Sequence, residues 1–451
     1  MRRYHVWLAV GGLAALLGVP VSLRAQGYSV NEHGTCAMAR GGTATASPCA
    51  DGSAIFYNPA GLAALRKGRG VVSVGGTGIL ASGGFKNDLG PEDDLKRKVI
   101  PVPHLYFAYG LTDRVAAGIG LFAPYGLETN WDESAQGRFR GYESRIRNIN
   151  IQPTLAVRLH PRIDFGAGFN YNFSHVRLRQ HLDLSEQAVP AGLFPPNVQT
   201  FADVGILSGT DFADADLHGN GHSVGYHLGV IFRPVDRVSL GVRYLSRQRS
   251  EINSATAEFT QINTNILLGG QPLDAQLAPQ FGAGAPLGTQ NGKTVLRLPE
   301  QLSFGAAVDV TPKFRALVDL VTTNWTVFDT LVIDLAEAGR ISLPQDDERT
   351  WAFRIGGEYA VSPSTTLRAG YINHGAAAPD QTVTPNLPEG PRAEFTGGVG
   401  TRLGQKLQVA LAYQYIKQQE RRGRIVSDPA VTNGVYTFNA HLFGATFTYS
   451  F

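Results

Sequence analysis

From about Gly70 to its C-terminus the chain repeats one rhythm, in which stretches with every second residue apolar alternate with turns and loops. In residues 148–160, Ile149, Ile151, Leu155, Val157 and Leu159 fall on one parity, and Asn150, Gln152, Thr154 and Arg158 on the other. Next, Ile163, Phe165, Ala167, Phe169, Tyr171 and Phe173 alternate with Asp164, Gly166, Gly168, Asn170, Asn172 and Ser174. A period of two marks a strand with two unlike faces. Tight turns fall at Leu111-Thr112-Asp113-Arg114, His160-Pro161-Arg162, Arg233-Pro234-Val235-Asp236, Val310-Thr311-Pro312-Lys313, Val361-Ser362-Pro363-Ser364 and Arg402-Leu403-Gly404-Gln405. Each holds Pro, Gly or Asp, which reverse a chain at low cost. Longer connections lie near 82–98, 124–147, 181–220, 255–295, 330–346, 374–392 and 421–434. Short turns alternating with long loops require about fourteen strands, with both ends on the short-turn side, as in an antiparallel β-barrel that spans a membrane. No repeat of fixed period marks the blades of a propeller.

Both ends of the chain point to the same compartment. In residues 435–451, Phe443, Ala445, Phe447, Tyr449 and Phe451 alternate with the small or polar Gly444, Thr446, Thr448 and Ser450. One greasy face and one small polar face suit a lipid-facing wall. The terminal Phe, with an aromatic two residues before it, resembles the signature read by the outer-membrane barrel assembly machinery, an expected partner during biogenesis. At the other end, residues 1–25 read as a signal peptide: Arg2 and Arg3, an apolar run over 6–17, and Leu23-Arg24-Ala25 before a cut at Gln26. The apolar run is too short for a spanning helix, and no later segment approaches the ~18 apolar residues that one needs. The 53 glycines and 10% aromatic residues favour strands, tight turns and interfacial girdles. A formal charge of +3, without a basic stripe, excludes nucleic acid as a partner.

Residues 26–65 do not join the rhythm. They are rich in Gly and Ala and too poor in large apolar side chains for a core of their own. Ahead of a barrel at 66–451, such a segment is either a tail or a plug folded inside the lumen. The two cysteines, Cys36 and Cys49, lie here. In an oxidising periplasm they close a short loop or stay as buried thiols, and the disulfide is the expectation. With only His33 nearby they make no convincing metal set, and no metal or cofactor is expected.

Three stretches carry a family resemblance: Val30-Asn31-Glu32, Ala39-Arg40-Gly41-Gly42-Thr43-Ala44, and Asp51-Gly52-Ser53-Ala54-Ile55-Phe56-Tyr57-Asn58-Pro59-Ala60-Gly61-Leu62. Together they resemble the hatch of the FadL family of outer-membrane transporters for long-chain fatty acids and, in its toluene branch, aromatic hydrocarbons. The resemblance implies a monomeric barrel of about fourteen strands in the outer membrane of a Gram-negative bacterium, with residues 26–65 as a hatch in the lumen. It also implies passive passage of a hydrophobic ligand, most readily a long-chain fatty acid, out through a sideways opening beside an inwardly kinked third strand, into the outer-membrane lipid.

Residues 115–127 resemble that third strand and its exit, so Gly118, Gly120 and Phe122 are expected at the gate. Asn58, Pro59 and Ala60 form a stiff elbow expected to pack against them. A carboxylate ligand needs a buried cation, and by parity Arg158, Arg243, Arg315, Arg354 and Arg368 face inward. Arg158, Arg243 and Arg354 are the candidates for binding, although Arg354 and Glu358 share a face and can pair with each other. The long loops at 181–220 and 255–295 carry apolar patches, Leu193 and Phe194 in one and Ile266-Leu267-Leu268 in the other, that suit a first landing site or a lid. No Gly-x-Ser-x-Gly or other catalytic constellation is present, so the chain is not expected to be an enzyme. A general diffusion porin and a loop-based adhesin are the alternatives.

Overall fold

The computed structural model describes residues 27–88, 90–189, 195–424 and 433–451. The expected signal peptide lies outside them. Fourteen wall strands form one closed antiparallel barrel. They are β1 (Gly70–Asn87), β2 (Val99–Gly110), β3 (Val115–Phe122), β4 (Glu143–His160), β5 (Ile163–Asp183) and β6 (Asp211–Val235). Then follow β7 (Val238–Leu245 and Gln248–Gln261), β8 (Gln290–Leu298 and Gln301–Asp309), β9 (Phe314–Asn324 and Thr330–Leu335) and β10 (Gly339–Pro344 and Arg349–Ala360). The last four are β11 (Thr365–His374), β12 (Arg392–Leu403), β13 (Leu407–Gln418) and β14 (Gly434–Ser450). The wall closes where β1 pairs with β14, from Val71↔Ser450 to Asn87↔Gly434. Closure pairs the first strand with the last, so the sheet has no free terminal strand, as lipid requires.

The tight turns lie where the sequence places them. The opposite connections are shorter than the sequence suggests, because several strands continue past the polarity change. The stretch 330–346 is a paired hairpin, Thr330↔Pro344 to Leu335↔Gly339, rather than a loop.

Side-chain parity is inverted relative to a soluble sheet. On β4 and β5 the outward Ile149, Leu155, Phe169 and Phe173 are about half exposed, whereas the inward Asn148, Asn150, Gln152, Asn170 and Asn172 are buried. Outward apolar side chains of this kind are stable only against lipid.

The buried polar residues face the segment 27–65, which lies inside the barrel. It contains two single-turn helices, α1 (Thr35–Met38) and α2 (Ala54–Tyr57), and a 3-10 turn at Pro59–Ala64. Its contacts run right round the wall. The Gly41 N–H donates to Thr396 Oγ1 on β12 at 2.9 Å. The N–H groups of Ala44 and Thr45 donate to Asp319 on β9, both at 3.0 Å. Gln152 on β4 donates to the Ile55 carbonyl at 2.7 Å. Thr35 shares a hydroxyl bond with Thr446 on β14. A segment too polar to fold alone thus gains its burial from the wall. Cys36 and Cys49 form a disulfide within it, with their Cα atoms 6.3 Å apart.

The Asn58-Pro59-Ala60 elbow sits elsewhere than expected. It faces β5–β7 rather than β3. The Asn58 amide donates to the carbonyls of Thr45 (2.7 Å), Val230 (3.2 Å) and Val242 (3.4 Å). Two wall glycines admit it: a Cβ at Gly166 would come within 2.6 Å of the Pro59 carbonyl, and one at Gly229 within 2.9 Å of Pro59 Cδ. On β3 the place expected for the elbow is taken by aliphatic side chains. A Cβ at Gly118 would lie 3.0 Å from Ile55 and 3.1 Å from Leu62, and one at Gly120 would lie 2.9 Å from Ile55. These glycines leave room for α2, and the β3–β4 ladder runs through them unbroken to Phe122↔Asn150.

Two outcomes follow from this packing. Gly166→Val should expel the elbow while β4 and β5 still pair, giving a heat-modifiable barrel with higher ion conductance in planar bilayers than the parent. Asn58→Ala removes one donor from buried carbonyls, a loss of about 1–3 kcal/mol. It should appear as faster proteolysis of residues 27–65 in an otherwise intact barrel.

Candidate functional site: a window beside the third strand

The wall is broken between β2 and β4. The β2–β3 ladder ends at Leu105↔Leu121, and the β3–β4 ladder ends at Phe122↔Asn150. After residues 123–125 the chain resumes as a short strand, Gly126–Asn130, paired only with β4 from Gly126↔Arg147 to Asn130↔Glu143. Residues 99–104 of β2 pair with β1 and have no ladder partner on the other side among the described residues. Above the break the wall is rejoined by a Lys96 N–H bond to the Asn130 carbonyl at 2.7 Å and by Lys98–Glu128 at 2.9 Å. The result is a bounded window in the side of the barrel. Pro124 accounts for part of the break, since it has no N–H to continue a ladder.

Backbone groups freed at membrane depth need partners. The N-terminal segment supplies them: the Val30 N–H donates to the Pro124 carbonyl, and the Gly126 N–H to the Tyr28 carbonyl, each at 2.9 Å. Ser29 and Tyr125 form an isolated antiparallel bridge. The partner of the kink is therefore the stretch 28–30, and not the Asn58 elbow.

Three cavities share walls and lead to this window. The outermost, about 350 Å³, lies among Leu178, Leu182, Phe259, Leu335 and Leu343 near the long loops. The middle one, about 80 Å³, shares Leu178, Leu217, Ile333 and Leu343 with it and adds Ile146, Leu296 and Phe328. The innermost, about 150 Å³, shares Tyr28, Leu127 and Leu387 with the middle one. It touches Ile100 on one edge of the window and residues 126–129 on the other. Ile79, Ile416, Phe438 and Leu442 form an apolar stretch of its lining.

Tyr28 stands between the middle and inner cavities. Its ring packs edge-on against Trp325, Phe328 and Tyr125, with centroids 4.7, 5.6 and 6.2 Å away, and its hydroxyl donates to the Arg297 carbonyl at 2.9 Å. Glu389, from the β11–β12 connection, accepts the Gly27 N–H at 2.8 Å and the N–H groups of Ala377 and Ala378 at 3.1 and 3.2 Å. Burial raises the Glu389 carboxyl above its usual range, opposed by these N–H groups.

The candidate cations lie away from this route. Arg158 binds Asp164 and the Ala63 carbonyl. Arg243 donates to His227 and Gln301 and lies over the Phe56 ring at 5.3 Å. Arg354 lines a small recess with Asn31, Gln301 and His374. It does not pair with Glu358, whose carboxylate is held by Arg40 and Arg368, both at 2.8 Å. Arg315 is held by Asp309. Phe122 packs on Phe56 and His33 inside the barrel, at 5.2 and 5.6 Å. Leu193 and Phe194 lie outside the described residues. Ile266 and Leu268 pack with Leu184, Phe201, Phe212, Leu273 and Leu277, so the two long loops cover each other as a lid. Sequence reasoning missed Tyr28, Leu127, Leu387 and Glu389. None of the four lies on one of the fourteen wall strands, so no alternation marked them.

Comparison with known proteins shows the family. The family described as "Outer membrane protein transport protein (OMPP1/FadL/TodX)" matches residues 18–451. A long-chain fatty acid transport protein of Escherichia coli O6:H1 is 22% identical, over 78% of this chain and 77% of its own. A solved FadL homologue of Pseudomonas aeruginosa superposes with a TM-score of 0.76 at 20% identity, covering 94% of this chain and 99% of the other. The toluene transporter TodX of Pseudomonas putida gives 0.66 at 18% identity, with 94% and 99% covered. These relatives are transport proteins of Gram-negative outer membranes rather than enzymes. With its closed barrel and a match over nearly its whole length, the chain belongs to the outer membrane protein transport protein (OMPP1/FadL/TodX) family.

Proposed function

We propose that this protein moves hydrophobic molecules passively across the outer membrane and releases them sideways. The ligand lands at the apolar lid of the long loops, descends through the outer and middle cavities, passes Tyr28 and leaves through the window beside β3. Residues 26–65 act as the hatch that closes the vertical route, so the protein is not a general diffusion porin. The observation that carries this proposal is that the inner cavity touches both edges of the wall break and continues along an apolar stretch of β1, β13 and β14. The chain holds no nucleotide-binding motif, and movement down a concentration gradient needs none. Related proteins named for long-chain fatty acids and for toluene mark out the class of cargo.

The gate is the stretch 28–30. It satisfies the broken strand and separates two cavities at once, so any shift that joins the cavities must exchange those backbone bonds. Gly118, Gly120 and Phe122 hold the inner side of β3 against α2, and Asn58-Pro59-Ala60 anchors the hatch on β5–β7. Both keep the gate in register rather than opening it.

A reversible lock tests the gate. Cysteines introduced as Ser29→Cys and Tyr125→Cys occupy a directly bridged antiparallel pair, within reach of a disulfide. Oxidation should abolish hydrophobic uptake in whole cells, and mild reduction should restore it. The parent, which keeps its own Cys36–Cys49 bond, serves as the control through both treatments. Uptake by the oxidised variant at the rate of its reduced form would remove the gate from this stretch.

A further inference from the structure

We infer that the cargo crosses uncharged, and that Glu32, Glu389 and Glu394 around the inner cavity select against carboxylates. The inference rests on the transport route proposed above and concerns what the route admits.

Along that route a negative headgroup finds no free cation. Among the described residues, the lining of the middle cavity contains no Lys, Arg or His. In the outer cavity the one cation is Arg179, which is bound by Asp214 and faces Asp216 in the same lining. The inner cavity carries four glutamates, of which Glu128 is held by Lys98, Arg147 and Arg145 at 2.9, 3.4 and 3.7 Å and Glu394 lies 3.2 Å from Arg392, the one cation in the lining, while Glu32 and Glu389 form no ion pair there among the described residues. The Gly27, Ala377 and Ala378 N–H groups, the backbone donors that could receive an anion there, are already occupied by Glu389. Glu32 and Glu394 accept from the two hydrogens of the Gln414 amide, at 3.0 and 2.7 Å, which fixes both carboxylates in place. The fully buried Arg243 lies outside all three linings.

A carboxylate entering this route would lose its water without gaining a partner, and in the inner cavity it would meet like charge at short range. A neutral hydrophobe loses nothing comparable. A cavity of about 150 Å³ is large enough for a benzene-sized molecule, and its aliphatic residues would contact one. The acidic side chains therefore act as a charge filter at the last step before the window.

The test compares size-matched pairs on the full-length protein: toluene against benzoate, and dodecanol against dodecanoate, at about pH 8, where free carboxylates are ionised. Binding is read from intrinsic fluorescence, to which Trp325 beside Tyr28 contributes, and uptake is read in whole cells with the labelled compounds. The neutral member of each pair should bind and enter at least about tenfold better, the low end of the cost of an unpaired buried charge. Glu32→Gln combined with Glu394→Gln, in a barrel that keeps heat-modifiable mobility, should narrow that ratio. Carboxylates bound and taken up as well as their neutral partners would overturn the inference and leave the transport route standing. Neither member crossing would overturn the route, and the inference with it. An unchanged ratio in the double variant would overturn the role of these carboxylates as the filter.

Discussion

A wall in lipid cannot leave backbone N–H and C=O groups unpaired, and this barrel breaks its own wall. The break at residues 123–125 survives because the chain carries its partner from far away in sequence. Tyr28 and Val30 complete the bonds that β3 has given up. Much of the remaining architecture serves that repair. The segment 27–65 must lie in the lumen for residues 28–30 to reach the break. The lower lumen must therefore be polar enough to hold a Gly- and Ala-rich chain, and its glycines must admit the close approaches of α2 and the Asn58 elbow. A hole in a barrel wall is thus paired with a plug for a reason of hydrogen bonding, before any question of transport.

The strands reverse their amphipathic sense partway along. On β5, Phe169, Tyr171 and Phe173 face lipid while Asn170, Asn172 and Ser174 face the plug. Beyond that point the outward residues become His175 and Arg177, and the inward ones Val176 and Leu178. On β14 the inward Thr448 and Thr446 give way to Leu442, Ala440 and Phe438. The same strand thus builds a polar seat for the plug below and a greasy chamber above it, with no change in strand geometry. The outward charges at the upper end mark the headgroup zone, where hydrocarbon no longer requires apolar contact.

That reversal explains how much was legible beforehand. Alternation and turn spacing gave the strand number and the placement of every tight turn, because both are local properties of the chain. The motif from Asp51 to Leu62 pointed to a plug, but the wall that Asn58 would face depends on contacts between residues some 170 positions apart. Parity placed Arg158, Arg243 and Arg354 inward correctly. It could not reveal that each is absorbed by the plug and the polar lower lumen, away from the cavities. The upper strands looked like loops because their apolar residues change parity, which a search for one continuous greasy face reads as the end of the strand. Glu389 gave no signal at all, since its role depends on the position of Gly27 in the folded chain.

On the route proposed above, passive release would limit how tightly each station can hold its ligand. A cavity that bound its ligand with a buried charge pair would gain affinity and lose turnover, since the ligand must leave without any input of energy. The three cavities instead offer aliphatic and aromatic contact, where binding scales with area and falls gradually as the ligand slides from one to the next. The middle cavity is the smallest, and its boundary with the inner one is the Tyr28 ring, held by three aromatic neighbours and one hydroxyl bond. Those contacts are individually weak, of the order of 1 kcal/mol each. A ring fixed by several weak contacts can be displaced by a hydrophobic ligand that replaces them in kind. On that proposed route it would return when the ligand has gone, the barrier being rebuilt by the same packing that the cargo disturbs.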